Sequence, residues 1–311
     1  MARRFGIEAP IHNVVCDKAQ RRRSSLLDSR LLAAFSSQEL FVPMGAESFI
    51  VCPELSLLQL AAEFTRKSEA SKPLLDQSQL ETSALCRSAA KVALVYLMCE
   101  FRSDYSLDES LSCGFSPRPP LLQEEKTPEV FAAKKIVGAN LAKSAFGLSF
   151  ANSHSPEETA LGLLLGLPQP LGGLGLGTPC MNHRVTVTHR GRKADRFIDL
   201  CYPDHMIAFE MNSDAFHPQE NAKADSERRN EILALGFEIY DVTSPMLFSQ
   251  AWLDEVVSPA RKKMGIDKSR IGDYPQRCAD LRHLVFELGN TNCEENTHSV
   301  VLPQLSTRRF L

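Results

Sequence analysis

Two acidic residues in the C-terminal half of this sequence are spaced so that they could bind one cation together. Asp199 lies in the run FIDLCYP and Glu210 in the run MIAFEMN, and the apolar and β-branched content of both runs is typical of strands. Asp204 and His205 can form the central pair of a two-residue turn between the runs. In that register Asp199 lies directly opposite Glu210, with Cβ atoms roughly 5 Å apart on the same face.

The pairing of these carboxylates favours a divalent-metal site. Like charges directly across a ladder destabilise a sheet, and a shared cation removes the conflict. Mg²⁺ or Mn²⁺ bound by one or two carboxylates keeps several waters, activates one of them and stabilises charge on a phosphoryl oxygen. The alternative is a strand face on which both side chains hydrate freely. A turn of another length could also separate them, because a shift of one residue moves a side chain to the opposite face.

The pattern along the chain predicts the elements that hold these residues. A helix begins in the run SPEET, which combines Ser155 as N-cap, Pro156 at the first helical position and Glu158 three residues after the cap. Three meandering strands follow, then an amphipathic helix over 219–235 that stops at Gly236, a fourth strand and a closing helix. YPQRCADLRHLVFELG predicts one more helix. This order indicates an α/β (α+β) fold.

With these residues in place, the chain resembles a known family. The stretch SPEET…LPQPLGG…FIDLCYPDHMIAFEMNSDAFH…ADSERRNEILALGFEIYDVT is similar to a bacterial family related to the very-short-patch-repair endonucleases, within the PD-(D/E)xK nuclease superfamily. The resemblance implies a restriction-endonuclease-like core of a mixed four-stranded sheet flanked by helices. Upstream, IHNVV, RRRSS and FIVCPELSLLQLA resemble the N-terminal region that accompanies this domain, and more distantly abortive-infection antitoxin proteins.

The resemblance implies a role for each acid. Asp199 and Glu210 would be the ligands of Mg²⁺ or Mn²⁺, and Glu158 would approach from the first helix as an accessory acid, unless it only closes a capping box with Ser155. The superfamily usually has Lys two residues after the Glu, and relatives of this branch often have Asp, whereas this chain has Asn212. An amide can orient a water but brings neither positive charge nor basicity.

Two functions follow from this set of residues. The first is a Mg²⁺-dependent endonuclease that acts on DNA phosphodiester bonds, which retention of both acids favours. The second, which Asn212 favours, is a catalytically weakened nuclease fold that serves as a nucleic-acid-binding or antitoxin-like regulatory protein.

A basic hairpin is predicted between the first two strands, next to the acidic pair. The hairpin contains one acid, Asp195, and five cations: Arg184, Arg190, Arg192, Lys193 and Arg196. Such clustering predicts phosphate contacts and salt-sensitive binding, with Arg190, Arg192 and Lys193 as the candidate contacts. The alternative is an ordinary solvated turn.

His217 and Arg228 are further candidate contacts to nucleic acid. His217 could contact a phosphate or protonate a leaving oxygen, and it could equally be a polar residue that leaves a strand. Arg228 could face the substrate backbone. Alternatively, Asp225 and Arg228, at (i, i+3) on one helix, would form an ordinary surface ion pair.

Composition limits the class of protein and its surroundings. The net charge of −3 means that a basic surface for nucleic acid must be local. The nine cysteines include no C-x-x-C pair, which favours a reducing cytoplasm over a disulfide framework or a zinc ribbon. No run of about 18 apolar residues exists, and MARRFGIEAP lacks the apolar stretch of a signal peptide. We therefore expect a cytoplasmic protein without a membrane partner, and the resemblance implies that its partner is DNA.

Three regions are predicted along the chain. An N-terminal α/β region covers 1–125, the endonuclease-like domain covers 126–266, and a C-terminal helix and tail cover 267–311. The stretch SCGFSPRPPLLQEEKTPEV, rich in proline and charge, marks the first boundary. The glycine-rich run GGLGLG lacks the Lys and the strand–helix context of a phosphate-binding loop.

Overall fold

The computed structural model describes most of the chain in two compact units. The described residues are 11–15, 18–31, 41–45, 48–70, 77–108, 111, 113–132, 136–189, 191–212, 222–267 and 272–288. Of the described residues, one unit contains those up to 86 and 124–143, and the other contains those of 87–123 and 144–288. The class is mixed α/β, as the sequence predicts.

The first unit contains two pairs of short strands and several helices. Strand β1 (Ile11–Val15) runs parallel to β2 (Leu27–Leu31), and β3 (Phe41–Gly45) runs antiparallel to β4 (Ser48–Val51). Its helices are α1 (Pro53–Ala70), α3 (Lys126–Phe131) and the first parts of α2 (Gln77–Phe101) and α4 (Ala139–Phe146). The later parts of α2 and α4 belong to the second unit. Helix α1 begins at a proline, which fits the first turn because its missing N–H would have no helical partner there. The helix buries Leu55, Leu58 and Ala61.

The second unit is built on a four-stranded mixed sheet. The elements that follow its small hairpin of β5 (Tyr105–Leu107) and β6 (Phe115–Pro117) are α5 (Pro156–Gly166), β7 (Cys180–His189), β8 (Arg192–Tyr202), β9 (Ile207–Asn212), α6 (Ala222–Ala234), β10 (Glu238–Thr243), α7 (Ser244–Leu247), α8 (Gln250–Lys263) and α9 (Tyr274–Leu288). The strand order is β10-β9-β8-β7, with β7, β8 and β9 antiparallel and β10 parallel to β9. The predicted order of elements and the mixed four-stranded sheet are confirmed.

The connection between β8 and β9 differs from the predicted turn but keeps the predicted register. The ladder pairs Tyr202 with Ile207 and Leu200 with Phe209, which is the register expected from the sequence. Asp204 and His205 are the central pair of a turn in which the Met206 N–H donates to the Pro203 carbonyl at 3.0 Å. The connection is longer than the predicted two-residue hairpin, because Pro203 begins a short 3-10 helix and Met206 adopts a left-handed φ of 53°. Pro203 has no N–H, so it cannot form the last ladder pair of a two-residue hairpin. Four residues therefore join the strands without shifting their register.

Helix α6 packs on the sheet through a small apolar cluster. Ile232 of the helix and Phe237 beyond it are buried with Ile198, Cys201 and Ala208. The helix stops before Gly236, as the sequence predicts. This packing fixes the rotation of α6 about its axis, and with it the direction in which the other side chains of the helix point.

The loop after α5 attaches α9 to the second unit. The Tyr274 hydroxyl donates to the Gly173 carbonyl at 3.0 Å, and the Arg277 guanidinium donates to the Pro170 carbonyl at 2.8 Å. Gly172 has a φ of 89°, and a Cβ at this position would lie 2.2 Å from the Arg277 carbonyl oxygen. The first glycines of GGLGLG therefore allow backbone to pack against backbone. No helix within the described ranges is both long and apolar enough to cross a membrane.

Candidate functional site

The Asp199 carboxylate lies beside the strand that carries Glu210. The β8–β9 ladder ends at the pair Leu200–Phe209, and the next positions outward are Asp199 and Glu210. There the Asp199 Oδ2 atom accepts the backbone N–H of Met211 at 2.8 Å. A side chain of β8 thus replaces the next backbone bond of the ladder, and its negative charge is held next to Glu210.

Glu210 is a buried acid whose two oxygens have different surroundings. The residue is 6% exposed, and its Oε2 accepts a hydrogen bond from the Arg228 guanidinium. Its Oε1 is buried and has no hydrogen-bond partner among the described residues. Burial raises the pKa of Glu210, and the Asp199 charge raises it further against the opposing effect of Arg228. An uncompensated carboxylate oxygen in the interior is costly, which marks this position as one that a cation would stabilise.

Glu158 is a third acid of the same group. The Ser155 hydroxyl accepts the Glu158 N–H at 3.1 Å, so the predicted N-cap is present. The Glu158 carboxylate accepts the Ser155 hydroxyl at 3.3 Å and the backbone N–H of His154, in place of that of Ser155, at 2.9 Å. Its Oε2 also accepts from the Asn182 amide at 2.7 Å. Burial raises the pKa of Glu158 to about 7, and the Asp199 charge contributes in the same direction. Glu158 therefore both caps α5 and interacts with Asp199.

Asn182 donates to Glu158 and lies opposite Asp199 in the strand register, and sequence reasoning did not identify it. It lies between Met181, which pairs with Leu200, and His183, which pairs with Ile198, so it faces Asp199 in the register. Its φ of 44° is left-handed, a conformation that Asn adopts more readily than most residues. An Asn at the start of a strand-like run was the available signal.

Asp241 on β10 is a further acid that the sequence did not single out. In the parallel ladder it pairs with Glu210, and its charge raises the pKa of Glu210. Asp241 Oδ1 accepts from the Arg229 guanidinium at 2.6 Å and from the Asn212 amide at 3.3 Å. Asn212, at the predicted third position of the motif, is thus exposed and bonded to Asp241.

Arg228 extends from α6 to Glu210. Arg228 and Ile232 are at (i, i+4) on the helix, so the packing of Ile232 on the sheet directs Arg228 to the same surface. The Arg228 side chain is 40% exposed, whereas that of Glu210 is 7% exposed. The predicted alternative, an ion pair with Asp225, concerns a side chain outside the described residues.

The basic hairpin retains exposed cations at its tip. Arg192 and Lys193 are exposed at the start of β8. Arg184 lies 3.5 Å from Asp195, and Arg196 donates to Glu231 at 2.7 Å. The other predicted contacts, Arg190 and His217, lie outside the described residues. Among the hairpin cations that the structure describes, Arg192 and Lys193 are therefore the exposed pair at the tip.

The metal chemistry open to this site is that of a two-carboxylate site. In the part of the chain that the structure describes, no group of three or more His, Cys, Asp or Glu side chains is arranged to hold a metal ion. Asp199 and Glu210 could offer two hard oxygen ligands, a number with which Mg²⁺ can be bound. Comparison of the chain with family models, curated proteins and solved structures finds no match. The resemblance drawn from the sequence therefore stays a prediction.

Proposed function

We propose that the second unit is a restriction-endonuclease-like hydrolase that cleaves DNA phosphodiester bonds, with Asp199 and Glu210 as ligands of Mg²⁺ or Mn²⁺. One observation carries the proposal: the Glu210 Oε1 atom is buried without a hydrogen-bond partner among the described residues, beside a second carboxylate. A cation bound there would remove both the unsatisfied oxygen and the repulsion between the two acids.

The residues present fit such an ion. Mg²⁺ usually takes one or two carboxylates and keeps several waters, so the buried Glu210 and the half-buried Asp199 would be a sufficient number of protein ligands. When bound, the ion would acidify a coordinated water and stabilise charge on a phosphoryl oxygen.

The chain's own groups provide the remaining requirements of hydrolysis. Glu158, with its pKa raised to about 7, can accept or release a proton near neutral pH. The Asn212 amide can orient a water, although it brings no charge. Arg192 and Lys193 are exposed cations that can bind the DNA backbone. The free thiols of the described cysteines fit a cytoplasmic protein.

A second candidate function is DNA binding without cleavage, as an antitoxin-like regulatory protein with a weakened nuclease fold. Two contacts favour it. The Arg228 guanidinium already neutralises Glu210, and Asn212 is bonded to Asp241 where the superfamily usually has a lysine.

Plasmid cleavage separates the two functions. Supercoiled plasmid is incubated with the protein in Mg²⁺, in Mn²⁺ and in EDTA, beside Asp199→Asn and Glu210→Gln, while an electrophoretic shift with a short duplex reports binding. Metal-dependent nicking that both variants lose supports the hydrolase. Binding without nicking in either metal supports the second function, and the absence of both activities rejects both functions.

A further inference from the structure

Arg228 and Glu210 form an ion pair whose two members are buried to very different degrees. The Glu210 side chain is 7% exposed and the Arg228 side chain is 40% exposed. Glu210 is held in β9 between β8 and β10. The guanidinium of Arg228 lies at the end of a long side chain and has access to solvent. The guanidinium can leave the pair by rotating into water, but the carboxylate cannot follow it.

Arg228 and a divalent ion cannot both bind Glu210 at full strength. The guanidinium keeps its positive charge at every pH at which the protein is folded. A unit charge and a doubly charged ion held a few ångströms apart repel each other strongly in a partly buried site. The unpartnered Oε1 gives the ion a ligand on the same carboxylate whose Oε2 receives Arg228. The two cations therefore compete for one residue.

We infer that Arg228 is the internal competitor of the metal: it occupies Glu210 in the metal-free protein, and an arriving divalent ion displaces it to contact a DNA phosphate. The inference rests on the proposed metal site. It assigns Arg228 a role in DNA binding, in which binding of the metal to Glu210 releases the guanidinium to contact the phosphate backbone. The guanidinium matches a phosphate with two parallel hydrogen bonds, so its release would add a specific contact to the bound DNA.

Arg229 provides a matched control on the same helix. Its side chain is 38% exposed, close to that of Arg228, and its ion pair is with Asp241 instead of Glu210. Arg229→Gln thus removes the same charge from the same turn of α6 and leaves the Glu210 pair intact. Arg228→Lys retains a cation beside Glu210 and completes the set.

The first experiment measures Mn²⁺ binding to the full chain without DNA, by calorimetry, for the wild type, Arg228→Gln, Arg228→Lys, Arg229→Gln and Asp199→Asn. We expect Arg228→Gln to bind Mn²⁺ about five- to tenfold more tightly than the wild type, because a competing charge is gone. Arg228→Lys should stay within about twofold of the wild type. Arg229→Gln should change the Mn²⁺ affinity less than Arg228→Gln does, because the Arg229 charge acts on Glu210 more weakly than the Arg228 charge. Thermal unfolding followed by circular dichroism establishes that each variant is folded.

The outcomes distinguish this inference from the proposed metal site. If the wild type binds Mn²⁺, Asp199→Asn does not, and Arg228→Gln binds no more tightly than the wild type, the competition is overturned while the metal site stands. If no folded variant binds Mn²⁺, both are overturned. Binding by Arg228→Gln where the wild type shows none supports the competition directly.

The second experiment measures the affinity for a fluorescent duplex in EDTA and in Ca²⁺, which takes the same oxygen ligands as Mg²⁺. We expect Arg228→Gln to match the wild type in EDTA, where Arg228 is held by Glu210. In Ca²⁺ it should bind about fivefold more weakly, with a salt slope lower by about one. An equal loss in both conditions would show that Arg228 contacts DNA without release by the metal, which overturns the displacement.

Discussion

The Asp199 carboxylate accepts the backbone N–H of Met211 at 2.8 Å, so one acid of the candidate site also completes the hydrogen bonding of the neighbouring strand. The same side chain raises the pKa of both Glu158 and Glu210 through its charge. Asp199 therefore has a structural role and an electrostatic role, and the two can be separated by substitution.

Asp199→Asn and Asp199→Ala should differ in stability but not in activity. The Asn side chain retains an oxygen that can accept the Met211 N–H, whereas Ala leaves this N–H without its partner, which costs about 1–3 kcal/mol. Both variants lose the charged ligand, and metal-dependent nicking should fall more than about 100-fold in each. Urea unfolding and plasmid nicking measure the two effects. Equal stability of the variants would contradict the structural role.

The β8–β9 register could be predicted because a turn centred on Asp204 and His205 fixes which residues pair across the two strands. The connection is longer than predicted because Pro203 has no N–H to donate across the ladder, and the register is kept because the connection lengthens by one residue on each side. Asp241 was missed because β10 is joined to β9 through α6, and side-chain alternation within a strand does not fix the register of a parallel neighbour. The Arg228–Glu210 pair depends on the rotation of α6, which only tertiary packing determines.

Asn212→Lys should raise metal-dependent cleavage at least about tenfold if Asn212 limits the reaction. The lysine would place a cation two residues after Glu210, where it can polarise a water or stabilise phosphoryl charge. The lysine would also replace the hydrogen bond from the Asn212 amide to Asp241 with an ion pair, so the fold should be retained. Single-turnover nicking rates measure the gain, with Asn212→Gln as the uncharged control. A lysine variant no faster than the glutamine variant would contradict the prediction.

Arg192 and Lys193 should contribute to DNA affinity through the phosphate backbone. The double substitution to Gln removes two exposed cations, and we expect the slope of log affinity against log salt to fall by about two. The loss should be similar for duplexes of unrelated sequence, because phosphate contacts carry no base information. Fluorescence anisotropy at several salt concentrations tests this. An unchanged slope would show that the tip of the hairpin lies away from DNA.

Glu158 should make the folded protein less stable as the pH rises through the neutral range. Its pKa is raised from 4.5 to about 7, so between these values the unfolded chain releases the proton while the folded chain retains it. The contribution should reach about 1–3 kcal/mol of lost stability above pH 7 and vanish below pH 4.5. Urea unfolding at pH 5 and pH 8 should show a smaller decrease for Glu158→Gln than for the wild type. Parallel decreases would contradict the prediction.

Gly172→Ala should destabilise the second unit far more than Gly177→Ala. Both glycines have a φ of 89°, so the conformational strain is the same, about 1–2 kcal/mol. A Cβ at Gly172 would lie 2.2 Å from the Arg277 carbonyl oxygen, whereas a Cβ at Gly177 meets nothing within 4 Å. The additional clash should displace α9 and add about 2 kcal/mol or more. Denaturant unfolding of the two variants measures the difference, and equal stabilities would show that the helix adjusts freely.

Strand β7 is at one end of the order β10-β9-β8-β7, and in the described part of the chain it pairs only with β8. An unpaired strand border invites another chain to add to the sheet, and charged side chains discourage such addition. We therefore expect the exposed Arg184 on β7 and the nearby Arg192 and Lys193 to discourage self-association. Neutralising them for DNA studies should lower the solubility, so light scattering belongs beside every affinity measured on those variants.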